Sequence, residues 1–493
     1  MTHLDTLVIG AGFAGIGMGI RLKRRGTHSF AILERAGQVG GTWRDNSYPG
    51  VACDIPSHLY SYSFRPNPNW SQFYSPGGEI WEYLSTSAIE EGLLEHLRVG
   101  VDVQSMDWDE AAALWRLTTS RGVFTCRTLI LACGRLSEPR IPAVPGIDDF
   151  RGEAFHSARW TPDVNLDGKR VAVVGSGASA VQLVPRLAER AAQLVVLQRS
   201  APYVIPRDDR AYSPAERALL ARDPAELSSL RTRLFWKAEE AFAQRVRDPA
   251  SISAARDRAR VHLESQVKHA ATRAALTPSY EIGCKRVLIS SEYYPTFALP
   301  HVVLEPSALA ALDGDTVVTQ SGARHRIDVV IFATGFHTTQ QPYARAVTGR
   351  AGERLSEHWS GGMTAHASTV VSGFPNLFVI NGPNAGLSHN SAIYMIETQI
   401  DYVLGALAYQ AGAGNPVLAV TRAAEEAYSR LVDELSADAV WTTGGCESWY
   451  IDPRNGRQTL LWPDFAHTFR SVNGEFSPLD FEPDSLPAVA VPR

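Results

Sequence analysis

The sequence predicts an α/β fold with two parallel-sheet cores and a helical insertion in the second. Three observations carry this. A strand, glycine-rich turn, helix and strand open the chain; the same pattern returns from Lys169; and no glycine occurs between Gly177 and Gly283 in a chain that has 39. The 493 residues suit roughly three folding units. Hydrophobic residues at 45% and charged residues at 20% are ordinary for a globular protein and speak against pervasive disorder. Lys+Arg 47 against Asp+Glu 52 leaves −5, which gives no electrostatic reason to expect nucleic acid or an anionic membrane as partner.

The first unit begins with the apolar run from Asp5 to Ile9. It turns through Gly10-Ala-Gly12-Phe-Ala-Gly15, continues as the amphipathic stretch Ile16 to Arg25 closed by Gly26, and re-extends over Ser29-Phe-Ala-Ile-Leu-Glu34. Asp5 stands where an export signal would be basic, and no stretch reaches the roughly 18 apolar residues of a membrane helix, so a cytoplasmic protein is expected. Asn69-Trp70-Ser71 is a glycosylation sequon by pattern only. The five cysteines, Cys53, Cys126, Cys133, Cys284 and Cys446, form no CxxC pair and no zinc-type spacing; neither a disulfide scaffold nor a metal site is expected.

The second unit runs from Lys169 through Gly175-Ser-Gly177-Ala-Ser-Ala180 into a helix ending near Glu189 and a strand over Gln193 to Arg199. Placed in register with the first, it sets Arg199 opposite Glu34. From Ser213 to Ala275 the chain is rich in Ala, Arg, Glu and Leu at helical spacing and starts on a Ser-Pro cap, a helical insertion and a candidate lid. Asp328-Val-Val-Ile-Phe-Ala-Thr-Gly335 and its degenerate counterpart Thr128 to Gly134 read as strands that hand the chain between the cores. The Pro-rich tail from Pro478 is expected to lie extended on the surface.

Gly10, Gly12 and Gly15 permit a tight turn and close approach of a pyrophosphate to a helix N-terminus. Glu34, at the end of the second strand, suits the two hydroxyls of an unphosphorylated adenosine ribose, as in FAD or NAD. Gly175, Gly177 and Ala180 repeat the turn, but Arg199 and Ser200 replace the acid; a guanidinium there reads a 2′-phosphate and hence NADPH, unless Arg199 is simply a surface arginine after a strand. Two Rossmann-like dinucleotide-binding domains of opposite charge preference imply one bound flavin and one nicotinamide coenzyme feeding it hydride. The expected boundaries are residues 1–148 for the first part of the FAD domain, 149–330 for the NADPH domain with its insertion at about 213–278, and 331–493 for completion of the FAD domain and the tail. A disulfide reductase would need a cysteine pair after the first unit, where Gly40-Gly-Thr42-Trp43 to Tyr48-Pro-Gly50-Val-Ala-Cys53-Asp54 offers one thiol.

Phe150-Arg-Gly152-Glu-Ala-Phe-His156-Ser-Ala-Arg-Trp160 resembles the FxGxxxHxxxW fingerprint of Baeyer–Villiger monooxygenases, placed just before the second glycine motif as in that family. Thr161-Pro162 follows the tryptophan where many members have Pro or Asp directly. The GGTW…YPG segment and Asp328 to Phe336 are also similar to that family, while Tyr60-Ser-Tyr-Ser-Phe64 and Ser448-Trp449-Tyr450 resemble its hydroxyacetophenone-type branch. The resemblance implies a cycle in which NADPH reduces FAD, O2 adds to form a C4a-peroxide, and the peroxide attacks a ketone that rearranges to an ester or lactone. It further implies that Arg286, in Gly283-Cys-Lys285-Arg286, is the active-site cation, that Asp54 orients it, and that Lys285 joins Arg199 on the 2′-phosphate. Read without the resemblance, Lys285 and Arg286 are also compatible with solvated bases after a strand, and Asp54 with a turn aspartate.

The expected cofactor contacts are Gly10, Gly12, Gly15, Glu34, Thr42, Trp43, Asp54, Tyr60 and Val103 for FAD, and Gly175, Gly177, Ser179, Ala180, Gln182, Arg199, Ser200, Lys285 and Trp449 for NADPH, with no metal. His156 and Trp160 are expected to couple domain motion to coenzyme position, and Gly386 to Asn390 to pass near the flavin ring. The expected partners are a small apolar ketone and O2, with neither nucleic acid nor membrane, in a monomer or weak homodimer. A related flavin monooxygenase oxidising nitrogen or sulfur, and a redox sensor without turnover, are the competing readings.

Overall fold

The computed structural model describes residues 1–161, 163–244 and 248–482. The first core is built from β1 (Thr2–Ile9), α1 (Phe13–Arg24), β2 (Phe30–Glu34), α2 (Thr42–Asp45), α3 (Gly77–Glu90), β3 (Leu97–Val99), β4 (Val103–Asp109), β5 (Leu114–Thr119) and β6 (Gly122–Leu131). β3, β2, β1 and β6 pair in parallel, and β4–β5–β6 fold back as an antiparallel meander. All of β2 is buried, as a parallel strand covered on both faces requires.

The chain then crosses to a second, wholly parallel sheet. It contains β7 (Glu153–His156), β8 (Arg170–Val174), α4 (Ala178–Ala188), β9 (Gln193–Leu197), β10 (Val204–Ile205), four insertion helices α5 (Pro214–Arg222), α6 (Pro224–Glu240), α7 (Pro249–Gln266) and α8 (Ala270–Ala275), β11 (Leu288–Ile289), β12 (Val302–Glu305), the small antiparallel sheet β13 (Leu309–Asp313), β14 (Thr316–Thr319) and β15 (Arg324–Arg326), and β16 (Val329–Phe332). Its order is β12-β9-β8-β16-β7, with β10 and β11 paired apart. The chain returns to the first sheet as β17 (Val347–Thr348) on β4 and β18 (Leu377–Val379) on β6. The outgoing and returning segments pair where they cross: Arg140 N–H donates to the Gly335 carbonyl at 2.9 Å, and His337 N–H to the Glu138 carbonyl at 2.9 Å.

The insertion starts at the cap the sequence signals: the Glu216 N–H donates to Ser213 Oγ at 3.2 Å and the Ser213 N–H to Glu216 Oε2 at 2.8 Å. Among the described residues no helix is long and apolar enough to cross a membrane.

Three expectations are corrected. The two βαβ units are not in register: β1 pairs Ile9 with Leu33, whereas β8 pairs Val174 with Leu197, so the second unit is one residue shorter between its strands. Gln198, not Arg199, stands opposite Glu34. Cys284 and Cys446 form a disulfide across 162 positions, a pairing no local spacing rule can find because the fold, not the sequence, brings the two segments together. The start of the tail is not extended on the surface: Pro478–Asp480 form a 3-10 turn and Phe481 is buried against Phe476. Pro162 and residues 483–493, on which the remaining expectations for the fingerprint and tail fell, lie outside the described residues.

Candidate active site

The first cradle lies at the carboxyl ends of β1 and β2, where an open α/β sheet receives ligands. A Cβ on Gly10 would meet the Ala132 carbonyl at 2.6 Å, and one on Gly15 the Gly10 carbonyl at 1.8 Å, so both positions exclude any side chain. At Gly12 the nearest atom would be Gly41 Cα at 3.6 Å, which leaves the cleft side open for a phosphate to reach the backbone. Glu34 is buried; its Oε2 accepts from the Ala11 N–H at 2.9 Å, its Oε1 from the Ala36 N–H at 2.9 Å, and Arg44 Nη1 lies 3.2 Å from Oε1. The carboxylate thus holds the glycine turn in place and still has lone pairs for ribose hydroxyls. Arg44 is a neighbour that sequence reasoning missed; it stands two positions beyond Thr42.

Thr42, Trp43, Tyr60 and Val103 line the same cleft. The Trp43 indole N–H donates to the Tyr60 hydroxyl at 3.2 Å, with the rings edge-on at 5.5 Å. These residues fit a flavin dinucleotide: an open backbone turn, a buried acid at the ribose end and an aromatic wall.

The second cradle repeats the plan. A Cβ on Gly175 would meet the Ala333 carbonyl at 2.5 Å, while Gly177 faces open space. Gln198, neutral and buried, occupies the acid's position, and its amide donates to the Ala275 carbonyl at 2.8 Å. Arg199 follows it, exposed, and Lys285 Nζ donates to Ser200 Oγ at 2.9 Å. Burial, and then the charge of Arg199, pushes the Lys285 pKa down. Two cations and a hydroxyl converging beside a neutral strand end fit a phosphorylated ribose. Trp449 stands nearby in sequence to Glu447, which lies 3.9 Å from Arg199, and is 38% exposed.

Gln182 and Ser179 also bond across to the first core. Gln182 Oε1 accepts from the Tyr48 hydroxyl at 2.8 Å and Nε2 donates to the Ala52 carbonyl at 2.9 Å, while the Ser179 side chain also bonds Tyr48. Together they tie the Tyr48–Ala52 loop of the first core to α4.

That loop carries Asp54, whose Oδ2 accepts from Arg286 Nε at 2.9 Å and Nη2 at 2.6 Å. Asp54 is the largest influence on Arg286 and raises its pKa against burial. The guanidinium is therefore a permanent cation whose Nη1 is not bonded to Asp54.

The fingerprint residues are structural in their contacts. Phe150 packs beneath the second sheet, a Cβ on Gly152 would meet the Asp328 carbonyl at 2.2 Å, and Trp160 stands edge-on to Phe155. His156 is buried at the end of β7, its Nδ1 accepting from the Ala158 N–H at 3.1 Å, beside Phe336 where the two crossings pair. Burial pushes its pKa down to about 4, so it is neutral at physiological pH.

Electrons that pass from a nicotinamide in the second cradle to a flavin in the first need no thiol to leave again, and the thiols near the first cradle are unsuited to carry them. Cys53 and Cys133 are free, and burial drives both thiols far above the usual range. The plan is that of an NADPH-dependent flavin monooxygenase. A profile described as pyridine nucleotide-disulphide oxidoreductase matches residues 7–221, the part that holds both glycine turns. A Baeyer–Villiger monooxygenase of Streptomyces coelicolor is 44% identical over 95% of this chain and 90% of its own, and one of Pseudomonas aeruginosa is 38% identical over 99% and 93%. The crystal structure of cyclohexanone monooxygenase from Rhodococcus sp. Phi1 bound to NADP+ superposes with a TM-score of 0.85 at 28% identity, covering 96% of each chain. The chain belongs to the Baeyer–Villiger monooxygenase family.

Proposed function

We propose that this chain converts a ketone to an ester or lactone with NADPH and O2, holding FAD in the first cradle and NADPH in the second, and that Arg286 aligned by Asp54 is the cation on which the reaction depends. When bound and reduced, the flavin supplies activated dioxygen. Glu34 takes the adenosine ribose of FAD; Gly10, Gly12 and Gly15 take its pyrophosphate at the start of α1; Thr42, Trp43, Tyr60 and Val103 wall the remainder. Gly175, Gly177 and Ala180 take the coenzyme pyrophosphate, Arg199, Ser200 and Lys285 its 2′-phosphate, and Trp449 its nicotinamide ribose. Residues 1–148 and the described segment after β16 then make the FAD domain, and residues 149–332, through the end of β16, the NADPH domain, with Phe150, Gly152, His156 and Trp160 setting the spacing between them. On this reading the protein acts in the cytoplasm as a monomer or weak homodimer.

The observation that carries the reading is the contact between Arg286 and Asp54. Asp54 occupies Nε and Nη2, fixing the plane of the guanidinium and leaving Nη1 to donate to a ketone oxygen. As that oxygen gains negative charge, a donor already in place stabilises it without reorganisation. A cation that cannot release its proton also favours an anionic oxidant over a protonated one, which sets ketone oxidation ahead of attack by nitrogen or sulfur nucleophiles.

The test is product analysis by mass spectrometry with NADPH and 18O2 on ring, aryl and aliphatic ketones beside a thioether. Esters carrying one 18O are expected. Sulfoxide formed with no ester from any ketone overturns the reading.

A further inference from the structure

The cleft holds a second arginine that the mechanism above does not use. Arg135 follows β6 immediately after Gly134 and lines the flavin cleft with Tyr60 and Trp43. Its side chain reaches the C-terminal segment: a Cβ on Gly386 would lie 2.0 Å from Nη1 and 2.5 Å from Cζ, and Nη1 points to the Leu460 carbonyl at 3.4 Å. The guanidinium is therefore seated in a slot that only glycine leaves open.

Its electrical surroundings are those of Arg286, not those of the dinucleotide turn. The charged group that acts on it is Arg286; burial, with Arg286 acting in the same sense, pushes it down to about 10, so it stays charged at neutral pH. Arg286 has Asp54, but among the described residues Arg135 has no carboxylate in ion-pair contact. Two guanidinium groups and one carboxylate leave this end of the cleft with one uncompensated positive charge. A half-buried cation without a partner is costly unless a ligand supplies the anion. Glu34 and Gly12, which would hold the adenosine ribose and pyrophosphate of a flavin dinucleotide, line the same cleft, whereas the Arg135 guanidinium ends against Gly386 and Leu460.

We propose that Arg135 is a specificity-determining residue that binds a carboxylate on the substrate, so that the preferred substrates are ketones bearing a carboxylate, not neutral ketones. The inference rests on the ketone-oxygenating reading above, and it replaces the small apolar ketone expected from sequence. The planar fork of Arg135 donates to a carboxylate bidentately. Holding that end anchors the molecule while Nη1 of Arg286 meets the ketone oxygen. A site built to pair a charged group rejects the analogue that lacks it far more strongly than an apolar pocket rejects a misfit, because the buried partner is then left unpaired.

The experiment compares (ω−1)-oxo carboxylates, methyl ketones from 4-oxopentanoate to 8-oxononanoate, with their methyl esters on the FAD-loaded enzyme. The readout is the ratio of kcat/KM for acid to that for ester. At least one chain length should favour the acid by tenfold or more, and Arg135→Gln should lower that ratio at least tenfold, with Arg135→Lys between. A second arm titrates the holoenzyme with cyclohexanecarboxylate and with cyclohexanecarboxamide, following the absorbance of the bound flavin. The carboxylate should bind more tightly, and that advantage should vanish in Arg135→Gln. A wild-type ratio at or below one at every length overturns the proposal, as does an Arg135→Gln variant that lowers acid and ester equally or fails to keep FAD, since Arg135 then serves the flavin or the fold. If neither acids nor neutral ketones yield any ester, the reading of function fails while the titration still decides the role of Arg135.

Discussion

At the scale of single residues, the site separates groups that hold charge from groups that hold position. Arg286 does the first and Asp54 the second. Replacing Arg286 with alanine should leave flavin bleaching by NADPH within a few-fold of wild type, while ester formation falls by about 10²–10³, the range seen when a preorganised donor to a developing oxyanion is removed. Stopped-flow absorbance and product analysis read the two steps separately, and ester formed at the wild-type rate would refute the assignment. Arg199 gives a second residue-level prediction. Gln198 holds the position of the acid and is neutral, so on the proposed reading coenzyme choice falls to Arg199, Ser200 and Lys285. Arg199→Ala should raise the KM for NADPH by about tenfold or more, consistent with loss of a charge-assisted pair worth over 1 kcal/mol, and leave the KM for NADH nearly unchanged. Equal rises for both coenzymes mean that Arg199 does not read the phosphate.

Among the elements, the helical insertion is held by a few buried polar contacts alongside its apolar residues. On α6, Arg231 donates to Ser61 Oγ at 2.8 Å and to the His58 carbonyl, next to Tyr60 in the flavin cleft. At the end of the same helix Glu239 is buried and accepts from His389 at 3.0 Å, Asn390 at 2.7 Å and His467 at 2.7 Å. Burial opposes ionisation of Glu239, but these hydrogen bonds together outweigh it and hold the carboxyl at about 2, below its ordinary 4.5. A depressed carboxyl pKa contributes stability that is present above pH 4.5 and is lost as the pH falls toward 2. Urea unfolding of wild type from pH 6 to pH 3 should therefore show stability declining below about 4.5, and Glu239→Gln should flatten that decline. At pH 7 Glu239→Ala should cost on the order of 3 kcal/mol, because it strands buried His389 and Asn390 and also removes the partner of the part-exposed His467. An unchanged pH slope in Glu239→Gln would remove Glu239 from the docking of α6.

Across the whole molecule, what the chain reveals about itself depends on the distance over which a signal acts. The glycine turns, the acid at Glu34 and the Ser213 cap are local and were legible, because a turn or a cap is decided by neighbours a few positions away. The one-residue offset that puts Gln198 opposite Glu34 was not, since strand register is settled by partners across the sheet. Arg135 passed unnoticed for the same reason: nothing near it in sequence says that Gly386 and Leu460 will form its slot. The Cys284–Cys446 bond is the longest-range case, and it has a consequence for the site. Cys284 directly precedes Lys285 and Arg286, and Cys446 precedes Glu447 and Trp449, so one bond fastens the segment bearing Arg286 to the segment whose Glu447 lies near Arg199. Closing a loop of 162 residues lowers the entropy of the unfolded chain by an amount worth at most about 5 kcal/mol. Dithiothreitol should lower the melting temperature of the wild-type holoenzyme and raise its KM for NADPH. Cys446→Ser should show both changes without reductant and no further response to it. Because the bond and the coenzyme site share one loop, the two effects should appear together; a melting temperature that falls while KM stays constant would mean that the bond braces the fold but not the site.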